Sequence, residues 1–451
     1  MKRWFYGAIA CMSLIQAVDT FDEMFAEGKV YGNIKYYYIQ TDKQNGTPYK
    51  DSSANANAIG GQFGYETVSF YGFRAKTTFM TTNGISLDDL VDASIIGRDN
   101  GVRLESNPSG SAAQRSFAVL GEALLRYDHG GFYANYGRQV IKTPLIHAKV
   151  VRMLPSAVQG GSIGYHDDAT GVMFDASYLT HFKQRTSDKF INIVVHALGN
   201  KTREITGDDK SDLIYLHAGW QNENIKVSVY DYYVPDFLNS IYLNGKYKGA
   251  LTGSTYLLGI EGILQKSTGN ANYNLAKTGS LTGGKKIYVQ ALSLKGVLNY
   301  HESHFLAAYS YISDNSGKHD SLVLPWDGTP LYTNMITSND LFSSNYGQGL
   351  KADSVYIGGT SAVKIAYTQT YNFTGYKGFK TVVSYMFADN DKFIKGKQQD
   401  LNIVFGYTHD KHFSIALKGI FVKNNTGASA DGTITQLDDF QQYRIIADYR
   451  F

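Results

Sequence analysis

Apolar and polar residues alternate along this chain in runs of roughly ten, the period of two that sends successive side chains to opposite faces of a β-strand. In Ile225-Lys226-Val227-Ser228-Val229-Tyr230 the odd positions are apolar, and in Leu401-Asn402-Ile403-Val404-Phe405-Gly406-Tyr407 they are apolar or aromatic. In Phe379-Lys380-Thr381-Val382-Val383-Ser384-Tyr385 and Val363-Lys364-Ile365-Ala366-Tyr367 a lysine stands on the other face. One face of each run is greasy, and the other must meet water. Runs of this kind fall near 29–40, 56–66, 68–80, 116–128, 131–139, 161–166, 171–182, 211–221 and 224–233. They continue near 238–246, 254–265, 286–301, 303–313, 355–371, 376–388, 399–409, 411–423 and 438–451, about eighteen in all.

The links between the runs sort by length. Tight turns at Glu66-Thr67, Asp128-His129-Gly130, Asp167-Asp168-Ala169, Asn222-Glu223, Glu302 and His409-Asp410 alternate with long links over 81–115, 140–160, 183–210, 266–285 and 314–354. Only 234–237 and 247–253 blur the alternation. Outer-membrane barrels alternate short periplasmic turns with long extracellular loops, whereas a soluble β-sandwich has no reason to do so. The fold expected is all-β, a transmembrane antiparallel barrel. In its last run Tyr443, Ile445, Ala447, Tyr449 and Phe451 share one face and Arg444, Asp448 and Arg450 the other. Backbone groups in lipid must pair within the protein, so this run is expected to close the ring against the strand after Gly28, with Phe451 as the barrel-closing aromatic.

Composition agrees with a barrel: 451 residues with Gly 46, Tyr 35, Phe 24 and only Pro 7 and Cys 1. Met1-Lys2-Arg3, an apolar run from Trp4 to Ile15, and Gln16-Ala17 before Asp19 read as a signal peptide over 1–17, leaving 18–451 as the barrel. The apolar run is short of the roughly 20 residues a spanning helix needs. Cys11 after Ala8-Ile9-Ala10 leaves a lipoprotein site open, while cleavage after about Ala17 would remove the single cysteine, and with it any disulfide or thiolate chemistry. The formal net charge of +3 gives no footing for a nucleic-acid partner.

Gly137-Arg138-Gln139, Thr143-Pro144-Leu145, Arg152-Met153-Leu154-Pro155 and Gly160 lie in or beside the link after the fifth run. This segment resembles the OprD-type outer-membrane porin family, as do the opening strand Gly28-Lys29-Val30-Tyr31-Gly32-Asn33-Ile34-Lys35-Tyr36-Tyr37-Tyr38 and the strand count. Val150 departs from the acid common in the family two residues before the arginine. The resemblance implies that 140–160 folds into the barrel as a constriction loop and that substrates are small, water-soluble and often carboxylate-bearing. It also implies a comparable basic ladder.

In a channel the chemistry is the set of charges a solute meets. Alternation makes Lys35, Arg74, Lys76, Arg126, Lys226, Lys364, Lys380, Lys418 and Arg444 the inward basic candidates, against the acids Glu122 and Asp448. Arg138 and Arg152 are candidates for the constriction, although Arg138 shares parity with the outward Ala134 and Tyr136. The cations form an anion track, or else solvate a polar lumen and pair with loop acids such as Asp88, Asp89 and Asp92. The closest histidine pairs, His301 with His304 and His409 with His412, flank turns. His166-Asp167-Asp168 falls in a turn, where Asp is a good turn residue. No catalytic group, metal or cofactor is expected. The leading expectation is a passive outer-membrane diffusion channel with an anionic preference; a surface adhesin or interaction protein on a barrel is the alternative. Expected partners are small solutes, outer-membrane lipids and the barrel-assembly machinery, with monomer and homotrimer both open.

Overall fold

A computed structural model describes residues 20–44, 52–87, 97–98, 114–148, 150–278, 282, 284–336, 356–372, 377–392, 396–425 and 439–451. The stretch read as a signal peptide and Asp88, Asp89 and Asp92 lie outside these residues. Eighteen long antiparallel strands form one closed sheet. They are β1 (Lys29–Gln44), β2 (Ser52–Glu66), β3 (Phe73–Leu87), β4 (Phe117–His129), β5 (Phe132–Gln139) and β6 (Ala157–Asp167). Next come β7 (Val172–Lys183), β8 (Leu213–Gln221), β9 (Ile225–Val234), β10 (Leu238–Leu251), β11 (Ser254–Ser267) and β12 (Tyr288–Tyr300). The ring ends with β13 (Ser303–Ile312), β14 (Thr360–Thr370), β15 (Phe379–Asn390), β16 (Lys397–Thr408), β17 (Phe413–Asn425) and β18 (Asp439–Arg450). A two-residue strand, Ile191–Asn192, adds to β7.

The alternation decides which face each residue takes. On β14, Val363, Ile365 and Tyr367 point outward and are exposed, while Ala362 and Lys364 point in. So broad an exposed apolar surface would drive aggregation in water; in lipid it is the required outer face. Lipid offers no partner to a backbone N–H, so the sheet can have no open edge. β18 pairs with β1 from Gln44↔Asp439 to Asn33↔Arg450. Beyond it Gly32 exchanges two backbone hydrogen bonds with Phe451, at 3.1 and 3.2 Å. A Cβ on Gly32 would lie 2.3 Å from the Gln62 carbonyl oxygen and 2.8 Å from the Phe451 ring, so the glycine makes room for both the β2 backbone and the aromatic at the seam.

Short turns close one end of the barrel. Gly130 and Gly131 both hold positive φ, 55° and 84°, the geometry of a two-residue hairpin turn. The helix α1 (Phe21–Ala26) docks at this end with a capping box between Thr20 and Glu23, and Val68 donates to the Met24 carbonyl. The blurred link 247–253 resolves because β10 runs on to Leu251, leaving a tight turn. The link 235–237 stays short although it lies at the loop end. The long link after β5 ends at 156 rather than 160, because 157–160 belong to β6, and β3 takes the first residues of the link 81–115.

At the loop end the long links fold inward and build a core inside the barrel. The link 184–212, with α2 (Ile193–Leu198) and α3 (Thr202–Thr206), the link 268–287 with α4 (Ala271–Thr278), and residues 313–336 bury Ile193, Ile205, Leu275, Leu322, Leu324 and Trp326 against wall residues such as Tyr232, Ile263 and Met386. Trp326 Nε1 donates to the Ile193 carbonyl at 2.9 Å, and Arg185 pairs with Asp327, which also accepts from Ser156 Oγ at 2.5 Å. The plug is thus joined by apolar burial and a buried charge pair, whose rupture would leave an uncompensated charge.

Deleting Phe451 removes both seam hydrogen bonds, and Gly32→Val collides with its ring; each change is expected to lower the yield of heat-modifiable folded barrel. Unchanged yields on semi-native gels would contradict this. Acid is expected to loosen the plug before the wall. Burial pushes His196 and His319 down to about 4. Asp327 partly opposes the shift at His196, and Arg185 adds to it; Lys392 and Lys285 add to the shift at His319. Each histidine stays neutral in the folded plug while the unfolded segment takes a proton below about 6.5, so stability falls as pH drops from about 6.5 towards 4. Protection against hydrogen exchange in 184–212 and 313–336, relative to the intrinsic rate at each pH, should be lower at pH 4.5 than at pH 7 with the wall still protected; equal protection at both pH values would refute it.

Candidate functional site

The register places four inward lysines in one line. Read across the hydrogen-bonded partners from β9 to β16, the row is Lys226, Lys246, Gly259, Lys295, Ala308, Lys364, Met386 and Asp400. Lys226 is the second residue of β9, at the turn end, and Asp400 is the fourth residue of β16, near the loop end. Barrel strands are staggered, so a row of direct partners climbs the wall as it goes round. Neighbouring strands are about 4.8 Å apart, so lysines on every second strand recur at about 10 Å. Small residues separate Lys246, Lys295 and Lys364, leaving room for the long side chains.

Residues 331–336 run along the same ramp. Tyr332 N donates to Ser293 Oγ at 3.0 Å and its ring lies 4.1 Å below Lys295 Nζ. Lys364 Nζ donates to the Asn334 carbonyl, and Ile336 N donates to Asn402 Oδ1 at 2.9 Å. Asn244 Nδ2 reaches the Tyr332 hydroxyl at 2.8 Å. Asp400 ends the row, and Glu261 stands beside it: only 3% exposed, Glu261 accepts from Tyr242 OH through Oε2 and feels the charges of Lys246 and Lys295. Sequence reading missed Lys246, Lys295 and Glu261. Their parity with Tyr242, Ser293 and Ile263 was the available signal.

The link after β5 crosses the lumen. Near its start Leu145 N donates to Tyr232 OH on β9, and Thr329 N to the Pro144 carbonyl. Further on, Tyr37 OH on β1 donates to the Val151 carbonyl at 3.0 Å, and Lys35 Nζ to the Met153 carbonyl at 3.2 Å. β1 and β9 are eight strands apart in the ring of eighteen, so this segment spans nearly a full diameter. Met153 and Leu154 pack on Tyr37, Ala58 and Met80. Arg152 is buried here, with Nη1 bonded to the Val151 carbonyl at 3.3 Å. Lys418, Lys35 and Arg444 stand on the facing wall; Arg444 Nη1 reaches Tyr37 OH at 3.3 Å and its Nε reaches Gln442 at 2.6 Å. Asp448 takes a bond from Arg450 at 2.9 Å and one from Asn33.

The inward cations fall into two groups. On β3 and β4, Arg74 pairs with Asp128 at 2.5 Å and Glu66 at 3.5 Å, Lys76 with Glu122 at 3.0 Å, and Arg126 with Asp128 at 2.5 Å. From β9 round to β17, Lys226, Lys246, Lys295, Lys364, Lys380 and Lys418 have no carboxylate within ion-pair distance among the described residues. The first group is neutralised, and the second is not.

Arg138 departs from its expected place. It keeps the outward parity of Ala134 and Tyr136, donates to the Leu120 carbonyl at 3.2 Å and Gln159 at 3.3 Å, and lies 4.4 Å over the Phe190 ring. The bulges that would shift parity sit on other strands, at Gly121 on β4 opposite Thr78 and Phe79, and at Thr180 on β7 opposite Gln159 and Gly160. Asp167 acts as a turn residue, accepting from Ala169 N and Thr170 Oγ1. His166, His217 and Tyr133 all bond Asp175 on the inner wall. Among the described residues no group of three or more His, Cys, Asp or Glu could hold a metal ion.

The whole barrel has close structural counterparts. The channel OccK9 (OpdG) of Pseudomonas aeruginosa superposes with a TM-score of 0.71 at 15% identity over 95% of this chain and 99% of that one. OpdK of the same organism, solved with vanillate, gives 0.69 at 13% identity with the same coverage, and OccAB1 of Acinetobacter baumannii gives 0.68 at 15% over 97% and 99%. No curated protein matches the sequence. The family model for outer membrane porins of the OprD family matches residues 23–451. A closed eighteen-strand wall, a lumen crossed by inward loops and this match together establish that the chain belongs to the OprD family of outer-membrane porins, channels of the Gram-negative outer membrane.

Proposed function

We propose that this porin passes small water-soluble solutes by passive diffusion and favours those carrying a carboxylate, which moves along the lysine row from β14 to β9. The row without carboxylate partners carries this reading. Lys226 stands directly opposite Lys246, and like charges in that position weaken a sheet. The fold gains nothing from them, whereas a passing anion does. Each ammonium replaces part of the anion's hydration and is close enough to the next for transfer. The tyrosine and asparagine of residues 331–336 hold the opposite bank. Arg152 and Arg444, with planar charged forks, lie where the crossing segment meets β1 and β18. Two structural relatives were solved with vanillate and with glucuronate, each a carboxylate.

Glu261 limits the preference, since its negative charge sits between two rungs. Proteoliposome uptake of a panel of carboxylates, amino acids and neutral sugars tests the reading. Lys246→Gln with Lys295→Gln should slow carboxylate uptake about tenfold, equivalent to about 1.4 kcal/mol, and leave neutral sugars within about twofold of wild type. Arg152→Ala should likewise act on carboxylates first. An equal fall for every solute would show that these residues set pore width alone, and purified barrel without conductance would favour a surface-binding role.

A further inference from the structure

The outer face of β5 to β8 is layered, and one layer is out of keeping with a lipid surface. From the turn end, the cross-strand rows are Phe132–Tyr165–Phe174–Ala218, then Ala134–Ile163–Ala176–Leu216, then Tyr136–Gly161–Tyr178–Ile214. Tyr136 is 74% and Tyr178 53% exposed. One step further out, the next row is Arg138–Gln159–His181, brought into line by the bulge at Thr180 opposite Gln159 and Gly160.

Arg138 is the penultimate residue of β5, His181 stands opposite Gln159 near the loop end of β7, and Lys210 belongs to the link 184–212, so this basic row stands at the loop-end rim of the outer face. Lys210 and Asp212 are further charged neighbours of His181, and Lys210 is exposed. Asp212 is engaged by Tyr178 OH and by Asn192 Nδ2 at 3.2 Å. The two cations Arg138 and Lys210 outweigh its single charge. Arg138 has no carboxylate within ion-pair distance among the described residues, and its plane is fixed by Leu120, Gln159 and the Phe190 ring. A cation on the lipid face costs little at the interface, about 0–1 kcal/mol, but the fold gains nothing from it without an anion.

We propose that Arg138, His181 and Lys210 form a binding site for a phosphate group of an outer-leaflet glycolipid, with Tyr136 and Tyr178 against its acyl region. A fixed guanidinium offers a phosphate two parallel N–H donors, and Lys210 adds a mobile charge. The row lies outside the lumen, so the site is independent of the solute path and stands or falls apart from it.

Native mass spectrometry of the full-length purified barrel tests this, with bisphosphorylated lipid A and its dephosphorylated form as probes. Wild type should bind the bisphosphorylated form at least tenfold more tightly, and Arg138→Gln with Lys210→Gln should lose most of that margin. Heat-modifiable mobility verifies folding, and Lys210→Gln alone, remote from any wall contact of Arg138, carries the comparison if the double variant does not fold. Equal binding of both lipids by wild type, or full phosphate preference in the folded variant, would overturn the proposal. Competition by millimolar inorganic phosphate alone would show an adventitious anion site and would overturn it too.

Discussion

A backbone in lipid has no partner outside the protein, and this constraint governs the structure. It forces the sheet to close, so that β18 must meet β1 and Phe451 must bond Gly32. Closure with tilted strands requires stagger, and stagger turns each line of direct partners into a ramp. The lysine row from Lys226 to Lys364 is such a ramp. What looks like a device for moving anions is thus a consequence of where lysines fall in a register that hydrogen bonding had already set.

The interior adds a second constraint. A ring this wide would leave an open lumen, and it is narrowed by loops that carry their own core rather than by the wall. Segment 140–156 spans from Tyr232 to Tyr37, and 331–336 lies along the lysine ramp. They are joined through Asp327, which bonds Ser156 and Arg185. The charges of the wall divide accordingly: Arg74, Lys76 and Arg126 are matched by acids on one side, and the lysines of β9 to β17 have no carboxylate within ion-pair distance among the described residues on the other.

Much of this was legible in the sequence, because a period of two is a local property. Every run of alternation became a strand, and the sorted links became turns and loops. Parity also placed Lys364 and Lys380 on the inner face. What sequence could not supply was register between strands far apart in the chain. The ramp depends on register, as does the finding that Arg74 and Arg126 meet one carboxylate, Asp128. Bulges caused the remaining differences: they shift parity locally, and at Arg138 the absence of one on its own strand keeps the guanidinium on the outer face. Loop contacts such as Trp326 with Ile193 leave no periodic signal at all.

If the unpaired lysines set the path of permeation, ion flow must carry their sign. The reversal potential of single channels in a tenfold KCl gradient reads it directly. Wild type should show the sign of anion preference, and Lys246→Glu with Lys295→Glu and Lys364→Glu should move it to cation preference. A wild-type potential favouring potassium, or one unmoved by the three substitutions, would contradict a solute path along this row.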